Sequence, residues 1–373
     1  MNSDSLWRAA VIASLPQITP RRLALMIGDG GPDAVWSALR GDTYSPVVSA
    51  VAQSAGAVDV WRVACSDTAV ARMAETCSSH SIGVTYRRHG TYPDALVGDH
   101  QAPVVLFHRG ALEAVGAHRR CGIVGTRNAT PMGRRFAEQL GADLAEAHIA
   151  VVSGLAKGID ASAHSGVRSK FVQCARSDLG KPIAVVANGL DTVYPRHHTA
   201  LFDFVAAEGV VLSESAPGTP PEPFRFPLRN RIIAALSEVL IVVESRASGG
   251  SMHTVDAAMT RGTPVLAVPG APGATASIGT NRLIAEGCAP CVHLDDVLVA
   301  LGLQSTGRVS GSHVLDHDAR AVLQVLSRSP QALDSLVSQT GFELVHLVRV
   351  LGGLEARGLV AHEAGWWQGA IAM

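Results

Sequence analysis

From about residue 103 onward the sequence repeats one pattern: a short apolar run, a glycine-containing turn, and a stretch with helical spacing of apolar residues. Seven β-branched runs have the length of buried strands, namely Val104–Phe107, Cys121–Val124, Ile149–Val152, Ile183–Ala187, Val210–Leu212, Val239–Val243 and Val265–Val268. Strands that are apolar on both faces need cover on both faces, so the pattern predicts a mostly parallel sheet between two helical layers. The predicted fold class is a doubly wound, extended Rossmann-like α/β core.

The length of 373 residues predicts two or three domains, because a single compact core seldom grows so large. Residues 1–75 read as short helices with a break at 28–32, which fits a SAM-like or helix-hairpin-helix-like module or a plain helical cap. Residues 76–303 hold the predicted core, and residues 304–314 form a Gly/Ser-rich linker. Three helical patterns and a closing hairpin pattern predict a winged-helix domain over residues 315–373.

The predicted winged helix is poor in positive charge. It holds four basic and six acidic residues, a net charge of −2, and its would-be recognition helix offers only His346 and Arg349. A reader of duplex DNA should carry more cations at that helix. We therefore predict a protein-interaction or packing role for this domain.

Composition places the chain among globular proteins of a reducing compartment. Hydrophobic residues make up 47% and charged residues 17%, and no apolar run approaches the roughly 20 residues that span a bilayer. The first residues lack a secretory signal, so we predict a cytoplasmic location with six reduced cysteines. The isolated C-x-x-C at Cys288 and Cys291 lacks a second ligand pair, so no metal and no cofactor are predicted.

Positive charge is local, although the formal net charge is only −1. The segment Arg119–Arg135 contains five basic residues and no acid, and Pro223–Ala235 contains three more, again without an acid. The distribution of charge matters more than its sum for binding a polyanion, so both segments are candidate contacts to nucleic acid.

The first candidate anion site is Gly122–Pro131, which reads G-I-V-G-T-R-N-A-T-P. Gly125 and Thr126 follow a strand, Thr130 is a predicted N-cap, and Pro131 fits the first helical position. Amides at the start of such a helix attract anions, and the guanidinium of Arg127 suits phosphate oxygens. The alternative is an ordinary nucleotide-fold turn with a solvated arginine.

The second candidate site is Val151–His164, V-V-S-G-L-A-K-G-I-D-A-S-A-H, where a strand again runs into glycines before a helix. Ser153, Gly154 and Gly158 surround Lys157, whose ammonium group is predicted to reach the same edge of the sheet as Arg127. His164 is predicted to pack within its helix rather than to act as a base. Two such turns on neighbouring strands fit a polymer backbone crossing the sheet.

Two further loops complete the candidate interface. Phe224–Ile233 reads F-R-F-P-L-R-N-R-I-I and opens a helix, and its polar residues could hold phosphates or brace the loop, namely Arg229, Asn230 and Arg231. Phe224 and Phe226 are candidates for base stacking or core packing. Val243–Thr254 supplies another glycine-rich turn, but the sequence has neither a P-loop nor a dinucleotide fingerprint.

Several motifs in this order resemble the DprA (Smf) family of DNA-processing proteins: G-T-R-N-A-T-P-M-G, S-G-L-A-K-G-I-D-A-S-A-H, N-G-L-D-T-V-Y-P, F-P-L-R-N-R-I-I-A-A-L-S, S-G-G-S-M-H-T and A-V-P-G followed by G-T-N-R-L-I. The resemblance covers about residues 15–300. It departs from the family in a longer stretch at 167–181, read as a surface loop, and in one additional glycine before Ser251.

The resemblance implies a Rossmann-like core that forms a homodimer, binds single-stranded DNA and loads RecA recombinase during natural transformation. Arg127 and Lys157 match the family's DNA-contacting cations, and neighbouring matched positions are Gly125, Ser153, Gly154 and Arg231. It implies a binding protein without catalytic residues.

The alternative is a nucleotide-processing enzyme that cleaves N-glycosidic bonds with a G-G-x-G-T-x-x-E motif. Here Gly249 and Gly250 are followed by S-M-H-T-V-D, so the later glycine and the glutamate of that motif are absent. Asp256 is the remaining candidate carboxylate, without a general-acid partner in the sequence pattern.

Overall fold

The sheet of the computed structural model is built from strands that follow the predicted apolar runs. Nine strands form it: β1 (Gly83–Tyr86), β2 (Val105–Gly110), β3 (Arg119–Val124), β4 (Ile149–Ser153), β5 (Pro182–Val186), β6 (Val210–Ser213), β7 (Val239–Val242), β8 (Val265–Ala267) and β9 (Ala289–Pro290). The structure describes residues 3–174, 178–304, 317–327, 329–356, 359–363 and 365–369. All seven predicted strands are present, whereas β1 and the two-residue β9 were not predicted.

The strand order is β1-β2-β6-β5-β4-β3-β7-β8-β9. Neighbours from β6 to β9 pair in parallel, while β1 and β2 form an antiparallel edge. Chain order reverses between β3 and β7, which is the topological switch point of a doubly wound sheet. The predicted mostly parallel, Rossmann-like sheet is confirmed.

Helices cover both faces of this sheet. The helices after β3 are α6 (Pro131–Glu146), α7 (Ile159–Gln173), α8 (Thr199–Glu208), α9 (Arg225–Leu236), α10 (Met252–Met259), α11 (Ile278–Ala285) and α12 (Leu294–Ala300). In β7, Val239 and Ile241 join the apolar cluster of α6 and α7, while Leu240 and Val242 join that of α9 and α10. Alternate residues of the strand therefore pack into two apolar cores, one on each face of the sheet, as a sheet covered on both faces requires.

The stretch at 167–181 differs from the predicted surface loop. Its first part is the end of α7, which continues to Gln173, and Val167 in this part is fully buried in the apolar cluster of α6 and α7. Residues 175–177 of this stretch lie outside the described part of the chain. No helix in the described ranges is long and apolar enough to cross a bilayer.

The N-terminal helices share a core with the sheet. They are α1 (Ser3–Ala13), α2 (Pro20–Arg40), α3 (Pro46–Ser54), α4 (Val58–Ala64) and α5 (Asp67–Ser79). Their buried residues form one cluster with Val105, Phe107 and Val211 of the strands. The predicted module at 1–75 therefore has no separate core, and the break at 28–32 is a kink at Gly31 within α2.

The chain divides into two compact units, Met1–Gln304 and Ser305–Met373. The second unit contains α13 (His317–Leu326), α14 (Leu333–Thr340) and α15 (Leu344–Ala356), with strands β10 (Gln331–Ala332), β11 (Val360–Glu363) and β12 (Trp366–Gly369). The antiparallel order β10-β12-β11 beside three helices confirms the winged helix. The predicted linker lies outside the described residues, except for Gln304.

The recognition-helix position of this second unit offers little positive charge. On α15, Arg349 is exposed, while the Nε2 atom of His346 lies 2.8 Å from a carboxylate oxygen of Asp318. Val345 and Val348 are also exposed on this helix. Contacts to duplex phosphates would need more cations, so an interaction or packing role stays our prediction.

Candidate nucleic-acid interface

The turn after β3 begins at Gly125, where packing leaves no room for a side chain. A Cβ atom there would lie 2.5 Å from Cγ1 of Ile159 and 3.0 Å from the backbone oxygen of Glu244. The amide of Thr126 donates a hydrogen bond to the same oxygen at 2.8 Å. Gly125 and Thr126 therefore connect the ends of β3 and β7 and place Arg127 at the exposed tip of the turn.

Thr130 caps α6, as predicted, and its Oγ1 atom accepts a hydrogen bond from the amide of Gly133 at 3.0 Å. A carboxylate also occupies this helix start. Glu244 accepts hydrogen bonds from the amide of Thr130 at 2.9 Å and from its hydroxyl at 2.5 Å. The chain's own Glu244 therefore lies at the helix start where the sequence suggested an external phosphate, and it accepts from the amide and the hydroxyl of the N-cap residue.

The turn after β4 packs directly against the turn after β3. Gly158 has a positive φ of 90°, and a Cβ atom there would lie 2.4 Å from the backbone oxygen of Thr126 and 2.7 Å from that of Arg127. Ser153 is fully buried and its hydroxyl donates to the backbone oxygen of Ile123 at 2.6 Å. Gly158 thus permits contact between the two turns, and Ser153 braces them from below rather than facing solvent.

Arg229 was a predicted phosphate contact, but the structure places it inside the molecule, 6% exposed. Its Nη1 atom donates to the backbone oxygen of Gly154 at 2.8 Å and to that of Val185. A side chain on Gly154 would collide with this guanidinium and with Asp160. Arg229 therefore braces the turn after β4, the alternative role raised from the sequence, and lies too deep in the protein to contact an external phosphate.

Asp160 and Arg229 form a buried pair of opposite charges. Burial raises the pKa of Asp160 to about 6, and the positive charge of Arg229 opposes that rise. Burial also lowers the pKa of Arg229 to about 10, against the effect of Asp160. Each charge lowers the free-energy cost of burying the other, so we assign the two groups a role in stability and not in binding.

Asn230 and Arg231 are also engaged within the protein. The side-chain amide of Asn230 donates to the backbone oxygen of Gly250 at 3.1 Å. Arg231 places Nη2 2.5 Å from both carboxylate oxygens of Glu214, and only 16% of its side chain is exposed. The predicted phosphate contact of Arg231 is thus replaced by an internal ion pair, because Glu214 already satisfies the guanidinium.

Arg127 and Lys157 do come together, as predicted, at a cavity of about 290 Å³ over the carboxyl ends of β3, β4 and β5. Both side chains are exposed. The guanidinium of Arg127 lies 4.3 Å from the ring centre of Phe226, and that ring is 5.9 Å from the ring of Tyr194. The cavity lining includes no acidic side chain, so it combines positive charge with aromatic surface.

The loop after β5 contributes residues that the site prediction missed. Tyr194 and His197 line the cavity, and Arg196 beside them is exposed. The Nδ1 atom of His198 lies 2.9 Å from the backbone oxygen of Leu155, which joins this loop to the turn after β4. The sequence could have indicated these residues, because their loop also follows a predicted parallel strand and therefore lies at the same edge of the sheet.

Three exposed cations thus follow three adjacent strands along the chain: Arg127 after β3 and Lys157 after β4 border the cavity, and Arg196 lies in the loop after β5, next in sequence to the lining residue His197. Within the described residues none of the three has a salt-bridge partner, unlike Arg225 and Arg231 nearby. Cations without an internal carboxylate partner remain available to an external anion. This row is the main chemical feature of the edge.

The described residues include no cluster of three or more His, Cys, Asp or Glu side chains that could hold a metal ion. Cys288 and Cys291 are free thiols, and burial raises the pKa of Cys291 to about 12. A thiol with such a pKa stays protonated and unreactive near neutral pH.

His164 packs within α7 and is fully buried, as its sequence position suggested. Burial lowers its pKa to about 3, from 6.5 in an exposed histidine, and the nearby backbone of Ser153 offsets only part of that shift. The unfolded chain therefore binds a proton at a pH where the folded protein does not. Above pH 6.5 His164 is neutral in both states and does not make the free energy of unfolding depend on pH. Below pH 6.5 the unfolded state gains a proton that the folded state does not, so the free energy of unfolding falls until the pH reaches about 3.

We expect urea unfolding of the His164→Gln variant to depend less on acid than that of the wild type. The free energies of unfolding should converge between pH 6.5 and 4, since the variant has no buried imidazole to protonate. His253→Gln, which changes an exposed histidine, is the matched control and should follow the wild type. Parallel profiles for wild type and His164→Gln would contradict this assignment.

Comparisons with known proteins agree with this architecture. The family model described as DNA recombination-mediator protein A matches residues 83–302, and the DprA winged helix domain matches residues 308–365. Protein Smf of Synechocystis is 31% identical over 312 residues, which cover 74% of this chain and 76% of that protein.

Two solved structures are similar to the chain. DNA processing protein A of Streptococcus pneumoniae aligns with a TM-score of 0.64 at 28% identity, covering 80% of this chain and 98% of that one. DNA processing protein A of Helicobacter pylori, described for its single-stranded DNA binding mode, aligns with a TM-score of 0.51 at 25% identity, covering 59% and 95%. With a family model that spans most of the α/β unit and a second that spans the winged helix, the chain belongs to the DprA (Smf) family of DNA-processing proteins.

Proposed function

We propose that the chain binds single-stranded DNA across the carboxyl ends of β5, β4 and β3. The observation that carries this proposal is the row of exposed cations without salt-bridge partners among the described residues, Arg196, Lys157 and Arg127. Arg127 and Lys157 border one cavity after neighbouring strands, which lie about 4.8 Å apart, so the two cations can contact neighbouring phosphates of one strand. The single-stranded DNA binding of the Helicobacter pylori relative supports the same ligand.

The cavity beside this row would receive bases. Tyr194 and Phe226 present aromatic surface next to the cations, and stacking on such surface requires bases that are not paired. Gly154 lines this cavity, whereas Thr126 and Gly158 pack against each other and shape the turns that carry the two cations. Ser153, Arg229, Asn230 and Arg231 hold the loops in place from within.

We further propose that the protein acts in the cytoplasm as a homodimer through its α/β core and loads a RecA recombinase onto incoming DNA in natural transformation. The description of the matching family as a recombination mediator supports this step. Six free cysteines are consistent with a reducing compartment.

We propose a binding protein rather than an N-glycosidase. The candidate carboxylate of the alternative, Asp256, is exposed on α10 and does not line the cavity beside Arg127 and Lys157. General acid-base chemistry needs a carboxylate within reach of the bound substrate. Release of free base from nucleoside monophosphates would favour the enzyme instead.

The test of the proposed ligand is a binding titration with the full chain at several salt concentrations. We expect single-stranded oligonucleotides to bind more tightly than duplexes of equal length, since only unpaired bases can stack in the cavity. Affinity should vary little between mixed sequences, because phosphate contacts carry no base code. Equal or tighter binding to the duplex would refute the proposal.

A further inference from the structure

Glu244 joins the two halves of the sheet at the switch point. It follows β7 and is only 7% exposed. Its carboxylate accepts hydrogen bonds from the amide and the hydroxyl of Thr130, and its backbone oxygen accepts one from the amide of Thr126 at 2.8 Å. These contacts lie on both sides of Arg127 in the sequence, so a single residue fixes both ends of the turn that carries this cation.

The carboxylate also fills the first turn of α6. A Cβ atom on Gly133 would lie 2.3 Å from Cδ of Glu244, so Gly133 is the residue that admits the carboxylate. Sheets of this topology bind the phosphate of a nucleotide at such a helix start, where amides and the helix dipole favour an anion. Here an internal anion takes that place.

We infer that Glu244 is a positioning and specificity-determining residue: it holds the turn that carries Arg127, and it keeps free phosphate and mononucleotides out of the α6 helix start. The positioning role rests on the proposed DNA binding, whereas the exclusion of free phosphate does not. With this helix start closed, an external phosphate meets the exposed cations at the strand ends, which favours a polymer lying across the sheet over a mononucleotide bound at one strand.

Three variants at position 244 distinguish the effect of side-chain length from that of negative charge. Glu244→Gln keeps the length and can still accept from the Thr130 amide, so its affinity for a single-stranded oligonucleotide should stay within about twofold of the wild type. Glu244→Asp keeps the charge but is one methylene shorter, and Glu244→Ala removes the group. Each should lose about fivefold, as expected for one lost hydrogen bond that orders the turn. An aspartate variant that binds better than the glutamine variant would overturn the positioning role.

The exclusion role is tested without DNA, by thermal unfolding in increasing inorganic phosphate at constant ionic strength. Glu244→Ala should show a saturable rise in its unfolding midpoint, because its vacated helix start can now bind the anion. Wild type and Glu244→Gln, whose helix start stays filled, should show a clearly smaller rise, from phosphate at the exposed cations alone. If Glu244→Ala does not fold, Glu244→Ser replaces it in both assays.

Two results would overturn the role of Glu244 in excluding phosphate: a wild type that phosphate stabilises as strongly as the truncated variant, or a truncated variant whose unfolding midpoint phosphate leaves unchanged. A wild type that fails to bind DNA would instead refute the proposed function.

Discussion

Replacing Arg127 and Lys157 together with alanine is expected to lower the affinity for a single-stranded oligonucleotide by about 100-fold. Each side chain is exposed, has no salt-bridge partner among the described residues and borders the cavity. A charge-assisted contact to a phosphate is worth about 1.5 kcal/mol, and two such losses correspond to roughly that factor. Gel shift or fluorescence anisotropy at fixed salt measures the change.

The matched control removes the same charge elsewhere. Arg21 and Arg72 are exposed cations of the N-terminal helices, and the double alanine variant at these positions should bind within about twofold of the wild type, because screening weakens distant charges. Arg196→Ala should weaken binding like either single change at Arg127 or Lys157. Equal losses in the control and the test variant would mean that overall charge, and not this edge of the sheet, determines binding.

Replacing Arg229 with methionine is expected to lower the free energy of unfolding by about 3–5 kcal/mol, because it removes the main positive charge that offsets the burial of Asp160 and the donor to the backbone oxygens of Gly154 and Val185. Asp160 is 6% exposed, and burial already raises its pKa to about 6 with Arg229 in place. Without the guanidinium that pKa rises further. The loss of stability should therefore be smaller at pH 5, where the carboxyl is protonated, than at pH 8.

A double variant tests the cause of that loss. Asp160→Asn combined with Arg229→Met removes the stranded charge and should recover part of the stability, so the two changes should not be additive. Urea unfolding of the wild type, the two single variants and the double variant gives the four free energies of this cycle at each pH. An Arg229→Met variant within 1 kcal/mol of the wild type at pH 8 would contradict the role given to this pair.

The sequence predicted the sheet well because its signals are local. Each strand from β2 to β8 contains a short apolar run near turn residues, and Thr130 with Pro131 marks the start of α6. The edge strand β9 has only two residues, Ala289 and Pro290, both exposed, so no apolar run reveals it. Its pairing with β8 depends on tertiary structure alone.

The internal partners of the predicted site could not be read from the sequence. Arg127, Arg229 and Arg231 have the same side chain, yet only Arg127 remains exposed, because Arg229 lies beneath Gly154 and Arg231 meets Glu214. The hydrogen bonds of Glu244 to Thr130 connect residues 114 positions apart. An acid directly after a buried strand at the switch point is the one clue that could have suggested it.

The central claim is that phosphates of single-stranded DNA are held by Arg127 and Lys157. The dependence of affinity on salt tests it most directly, because each phosphate neutralised by a cation releases counterions. In a plot of log affinity against log salt, the double alanine variant should have a slope shallower than the wild type by about 1.4, the value for two single-strand contacts. Two parallel lines would show that these side chains neutralise no phosphate and would contradict the claim.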